Sequence, residues 1–195
     1  MKIDPRRVKS IEKLHNAYLS LLIEGHEQLT IQTICNKANV TRPTFYKTYK
    51  DIPELRGGLL QSLLENLKAA LVIQDPKPID VIDKDEMPKH LILLFNHIQS
   101  NHIAYETLLI YQPDALFIDG IHEILKEFVK NGIYVSEAHQ YLLNVHEELI
   151  VNYVVGGFLE SIRWWIKENY SVSVVEMAAT LIELSVNGPY VKRFR

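Results

Sequence analysis

The side chains in this chain best suited to polar recognition are crowded into one run, Thr41-Arg42-Pro43-Thr44-Phe45-Tyr46-Lys47-Thr48-Tyr49. An arginine can pair bidentately with a guanine edge, and threonine offers a hydroxyl and a methyl to other bases. Tyr46, Lys47 and the nearby Lys50 suit phosphate oxygens, contacts that hold register without reading sequence. On a helix Phe45 lies a turn from Thr41, Arg42 and Tyr49 and points inward, which leaves Thr41, Arg42, Thr44 and Lys47 pointing out. Two readings fit these residues, a surface for duplex DNA and a solvated polar helix whose tyrosines pack a core.

Residues that could break or make bonds are wrongly spaced. The eight histidines include His90 with His97 and His139 with His146. Neither pair has the i, i+4 spacing of a zinc-binding helix, and the run His146-Glu147-Glu148 lacks a second histidine where one is needed. No glycine-rich phosphate loop, nucleophile elbow or Cys-x-x-Cys is present. The expectation is a protein that is not an enzyme and needs no metal or cofactor. Cys35 is the one cysteine, so no internal disulfide forms, which fits a reducing cytosol. Met1 is followed by Lys2, Asp4, Arg6, Arg7 and Lys9, with no apolar stretch of signal-peptide length. The longest apolar region, Leu149 to Ile166, carries Asn152, Glu160, Ser161 and Arg163, which would be costly in lipid. A cytoplasmic protein that does not enter the membrane is expected.

The formal charge of −3 hides an asymmetry. Residues 1–50 hold nine Lys and Arg against four Asp and Glu, and residues 51–195 hold twelve against twenty. A basic head on an acidic body points the head at a polyanion.

The elements that must position these groups read as helices throughout, an all-α fold of about nine helices with no strand alternation. From Pro5 to Glu24 the apolar residues Val8, Ile11, Leu14, Ala17, Tyr18, Leu21 and Leu22 recur every three or four positions, and Gly25 suits a left-handed stop. Thr30 caps a short second helix and can offer a hydroxyl and a helix N-terminus to a phosphate. Asn39 tolerates the left-handed turn that must follow. Thr41 caps a third helix, with Pro43 in its first turn where no intrahelical N–H is lost. Asp51 starts a fourth, with Glu54 three residues on. Two short helices in sequence read as a helix-turn-helix whose second member lies in the major groove. Residues 1–50 form this head. Residues 51–195 are expected to form a separate helical body, with helix 51–73 as connector.

In the body, Gln74–Pro88 reads as a loop, helical patterns cover 89–101, 102–111 and 114–131, and Gly132 bounds the last. A long helix from Glu137 to Glu168 and a final one from Val172 to Val186 follow, stopped by Asn187-Gly188-Pro189. The first of these is apolar nearly all round and must be covered on more than one side. Gly156-Gly157 in its middle costs about 1 kcal/mol per glycine, which close approach of another helix would offset. An interface of Tyr153, Gly156, Gly157, Phe158, Met177, Leu181 and Leu184 is expected. Phe95, His102, Tyr105, Tyr111, Phe128 and Trp164 are candidates to line a ligand pocket.

The segments Glu24-Gly25, Leu29-Thr30-Ile31-Gln32-Thr33-Ile34, Ala38-Asn39-Val40-Thr41, Thr44-Phe45-Tyr46-Lys47, Tyr49 and Leu55 together resemble the N-terminal domain of TetR/AcrR-type transcriptional regulators. The resemblance implies that Thr30, Thr41, Arg42, Thr44, Tyr46 and Lys47 lie at the DNA face. It also implies that residues 51–195 are a regulatory and dimerisation domain, and a homodimer whose last two long helices pair in a four-helix bundle. Asn39 replaces the usual turn glycine and Pro43 a glycine, small or basic residue. Ile52-Pro53 stands where the family has Lys then Glu, which removes one implied phosphate contact. The run Tyr153-Val154-Val155-Gly156-Gly157-Phe158-Leu159, with Trp164-Trp165 and Met177-Ala178, is similar to a subgroup that includes regulators of dihydroxyacetone kinase operons. The resemblance implies a repressor released from a palindromic operator by a small effector, or alternatively an activator or co-activator controlled by a protein partner.

Overall fold

The computed structural model describes residues 5–25, 29–72, 87–138 and 145–186. Within them the chain forms nine α-helices and a π-helical turn, with no strand. They are α1 (Pro5–Ile23), α2 (Ile31–Ala38), α3 (Arg42–Tyr46), α4 (Ile52–Ala70), α5 (Met87–Ser100), α6 (His102–Glu106), α7 (Ala115–Ala138), α8 (Glu147–Lys167) and α9 (Val174–Val186). The π turn, Thr107–Tyr111, stands between α6 and α7. Contacts divide the chain into two compact units, Met1–Glu65 with Ile103–Phe117, and Asn66–His102 with Ile118–Arg195.

The first unit is built by local rules. Gly25, at φ +67°, ends α1. Thr30 caps α2 by accepting the Thr33 amide on its hydroxyl and donates its own backbone N–H to the Thr33 hydroxyl, a closed capping box. Asn39 ends α2 in the left-handed region at φ 51°, where Asn is among the few side chains that settle readily. Pro43 sits in the first turn of α3, and Thr41 is the cap. At the start of α4, the Asp51 carboxylate accepts the Glu54 amide at 2.8 Å, and Glu54 accepts the Lys50 amide at 2.6 Å. The core between α1, α2 and α3 holds Leu14, Tyr18, Ile34, Cys35, Ala38 and Phe45. Burial pushes the Cys35 thiol up, so it packs as a small apolar residue.

Two ties complete this unit. Arg56 of α4 donates from Nε (2.7 Å) and Nη2 (2.6 Å) to Oδ2 of the half-buried Asp114, whose Oδ1 accepts the Phe117 amide at 3.1 Å. The π turn packs on α1, and inside it Thr107 is fully buried with its hydroxyl donating to the Ile103 carbonyl.

The second unit is organised around Trp165. Its indole meets Phe95 edge-on at 5.2 Å and Tyr170 edge-on at 4.9 Å, and its N–H donates to the Val172 carbonyl at 2.7 Å. That last bond is the partner a buried indole requires. α5 packs against α9, and Leu91, Leu94, Ile98, Val155, Ile162, Met177, Ala178 and Leu181 are buried.

The element bounds differ from the sequence pattern in three places. α7 runs through Gly132 to Ala138 rather than stopping at the glycine. One helical glycine costs only about 1 kcal/mol against alanine, too little to end a helix that is otherwise well patterned. The long helix expected from Glu137 begins instead at Glu147. The stretch 102–111 is not one α-helix, because it widens into a π turn at Thr107. The expected loop lies outside the described residues apart from Met87 and Pro88, which open α5. The expected stop at Asn187-Gly188-Pro189 and His139 also lie outside them.

Candidate nucleic-acid interface

α3 turns one side inward and the other out. Phe45 has no exposed surface, and the Tyr49 ring is buried just past the helix end. Tyr49 carries its hydroxyl 2.8 Å from His15 Nε2 on α1, and its ring lies against Gly58 of α4. A Cβ built on Gly58 would come within 2.9 Å of that ring, so this glycine is required by a close approach. Phe45 and Tyr49 rings meet at 6.1 Å. The end of α3 is thus pinned to both α1 and α4. Burial holds the His15 imidazole down to about 4, well below its ordinary value of 6.5, so at neutral pH it is an uncharged partner for Tyr49.

The outward side carries the residues expected to meet DNA. Thr41, Arg42, Tyr46, Lys47 and Lys50 are exposed, and Thr44 is half-buried. The Thr41 hydroxyl stands 2.9 Å from that of Thr44 and serves as the α3 cap. Arg42 and Tyr46, one turn apart, come together: the guanidinium carbon lies 6.0 Å from the ring centroid and Nη2 donates to the tyrosine hydroxyl at 3.4 Å. Thr30 is exposed at the N-terminus of α2. On α2, Lys37 is paired with Glu24 and so contributes little net field.

Elsewhere the expected groupings differ from those found. Phe95 and Tyr105 are fully buried, packed edge-on against Trp165 and Phe117 respectively; they fill core. His102, Tyr111 and Trp164 are exposed and Phe128 is half-buried. The cleft in the second unit, about 680 Å³, is lined by none of the six; Lys68, Glu123, Lys126, Glu127, Lys130 and Glu148 line it, with Ile124 and Val151 among them. Aromatic type alone could not separate core from lining, because a core needs the same side chains.

Of the expected interface residues, Tyr153, Gly156, Gly157 and Leu184 are exposed, whereas Phe158, Met177 and Leu181 are buried inside their own unit. Periodicity divides α8 cleanly. Val151, Val155, Phe158, Ile162 and Trp165 share its inner face. Leu149, Tyr153, Gly156, Glu160 and Trp164 share the opposite one. Tyr153 is 78% exposed and Leu149 64%. Nothing lies within 4 Å of a Cβ placed on Gly156 or Gly157. Leu149 and Trp164 belong with this surface, and the sequence pattern does not assign them to it.

A family model described as a transcriptional regulator C-terminal region matches residues 85–187. No curated protein matches the chain in sequence. Among solved structures, a TetR transcriptional regulator from Streptococcus agalactiae 2603V is similar at 23% identity. It covers 92% of this chain and 95% of its own, with a TM-score of 0.60. The dihydroxyacetone kinase operon activator DhaS is similar at 16% identity, covering 91% and 94%, with a TM-score of 0.63. The regulator FadR from Bacillus subtilis in complex with stearoyl-CoA is similar at 15% identity, covering 92% and 99%, with a TM-score of 0.63. No helix among the described residues is long and apolar enough to cross a membrane.

Proposed function

The chain belongs to the TetR family of DNA-binding transcriptional regulators, and on that premise we propose that it works as a homodimeric repressor, released from a palindromic operator by a small effector. The observation that carries this reading is the outward side of α3. Arg42, Tyr46 and, just past the helix end, Lys47 are exposed and Thr44 is half-buried on a helix held from behind by Phe45 and Tyr49. Arg42 and Thr44 supply base contacts. Thr30, Thr41, Tyr46, Lys47 and Lys50 supply phosphate contacts that fix register. The uncovered face of α8, with its two glycines, supports pairing with a second copy, and a two-fold dimer presents two recognition helices to half-sites about 34 Å apart or a multiple of that.

The test is selection of binding sites from a random duplex pool, followed by salt titration on the selected site. A palindromic consensus and an affinity that falls steeply with salt are expected; recovery of no consensus with salt-independent binding would remove the assignment. A second reading, activation through a protein partner, draws on the likeness to DhaS, described as an operon activator. The stearoyl-CoA held by FadR supports the effector reading instead. A melting shift with a long-chain acyl-CoA favours release by a small molecule. A stoichiometric co-purifying protein, with increased transcription from the selected site, favours the second.

A further inference from the structure

We propose that Arg7, in the first turns of α1, is a further phosphate-binding residue of the DNA-facing surface. This rests on the DNA-binding reading above and extends the surface from α2 and α3 to a third helix.

Arg7 is exposed, yet it continues the buried face of α1. Arg7, Ile11, Leu14 and Tyr18 follow one another at spacings of four, three and four, and Leu14 and Tyr18 are core. Arg7 therefore overhangs the edge of that core, about 10 Å along the axis from Leu14. His15, two turns on, is bonded to Tyr49, which fixes α1 against the end of α3. The Arg7 charge is close enough to Tyr49 to favour its ionised form, against burial and the Glu54 charge. Lys50 follows Tyr49 directly. Glu54, the nearby carboxylate, accepts the Lys50 amide. Among the described residues neither Arg7, Lys47 nor Lys50 pairs its side chain with a carboxylate.

Lys9 and Lys13 differ. They lie roughly 200° and 240° round the helix from Arg7, on the solvent side, and both are exposed. Only Arg7 among these three shares a side with the recognition-helix end. A permanently charged guanidinium with free donors there is suited to a phosphate.

The test is fluorescence anisotropy with a mixed-sequence duplex and with the selected operator, over a salt series, for wild type, Arg7→Ala, Arg7→Lys and Lys9→Ala. Arg7→Ala is expected to lower the slope of log K against log salt by about 0.9 for each phosphate left unneutralised, roughly a fivefold weakening per phosphate near physiological salt. The weakening should be equal on both duplexes, with the melting temperature unchanged. Arg7→Lys should restore most of the slope and Lys9→Ala should keep it. A wild-type slope for Arg7→Ala, with wild type itself binding, overturns this proposal alone. So does an equal weakening in Lys9→Ala, which would reduce the effect to net charge. Failure of wild type to bind any duplex overturns the DNA-binding reading and this inference with it.

Discussion

α3 and α8 solve opposite problems with the same secondary structure. α3 has five residues, too short to hold itself as a helix in water. It is kept by a threonine cap and by Phe45 and Tyr49 beneath it, and its outer side is cationic and hydroxylic. α8 has twenty-one residues and carries apolar side chains on both faces, with Glu160 among those of the outer one. Its inner face completes a core around Trp165, and its outer face offers Leu149, Tyr153, a glycine pair and Trp164. A polar exterior over a rigid base fits recognition of a charged, hydrated polymer. An apolar exterior with no Cβ at its middle fits another protein surface. Variants that separate these two surfaces test the contrast.

The largest effect is expected from Phe45→Ala. Removing a fully buried aromatic costs about 3–5 kcal/mol. DNA binding should vanish, while sedimentation still reports the wild-type oligomeric state because α8 is untouched. Disappearance of both together would mean that the two surfaces are not independent. Conversely, Tyr153→Glu should weaken self-association by about 2 kcal/mol or more, the scale of an interface hot spot. The secondary structure should be retained. An unchanged dimer dissociation constant would place the interface elsewhere.

Acid should weaken the base of the first surface. His15 is held neutral by burial, with its pKa down at about 4, whereas an unfolded histidine titrates near 6.5. Between these values the unfolded chain binds a proton that the folded chain does not. Stability from this group is complete above about 6.5 and is lost as pH falls toward 4, up to about 3 kcal/mol in all. Urea midpoints of wild type and His15→Gln measured from pH 7 to pH 4 should converge as the pH falls. Parallel curves would remove the role assigned to His15.

Neighbouring glycines on α4 give a finer contrast. Gly57→Ala meets nothing within 4 Å and should stabilise by about 0.5–1 kcal/mol. Gly58→Ala drives a methyl into the Tyr49 ring and should destabilise by about 1–3 kcal/mol, with weaker DNA binding. Identical melting shifts for the two would contradict the Tyr49 packing. Thr41→Ala should destabilise by about 1 kcal/mol for a missing cap, measured by chemical denaturation and accompanied by reduced operator affinity.

Much of the first unit is legible in the sequence because its signals are local. Thr30, Asn39, Thr41 and Pro43 act on backbone groups a few residues away, so type and position are enough. Phe45 points inward because its neighbours at three and four residues set the helix face. The charge asymmetry is likewise a property of composition. The second unit resists for a matching reason. α8 is apolar on both sides, so periodicity alone cannot tell a face that fills its own core from one left for a partner. On that account the pattern puts Phe158 outward and Trp164 toward a pocket, and the fold does neither. Nor can a linear pattern pair His15 with Tyr49, thirty-four positions apart, or place Gly58 under a tyrosine ring. Sequence determined that the chain is helical, where α2 and α3 start and stop, and which short run offers side chains suited to DNA. Only the packing of helices distant in the chain decided which apolar side chains are spent inside the molecule and which remain to be covered by another.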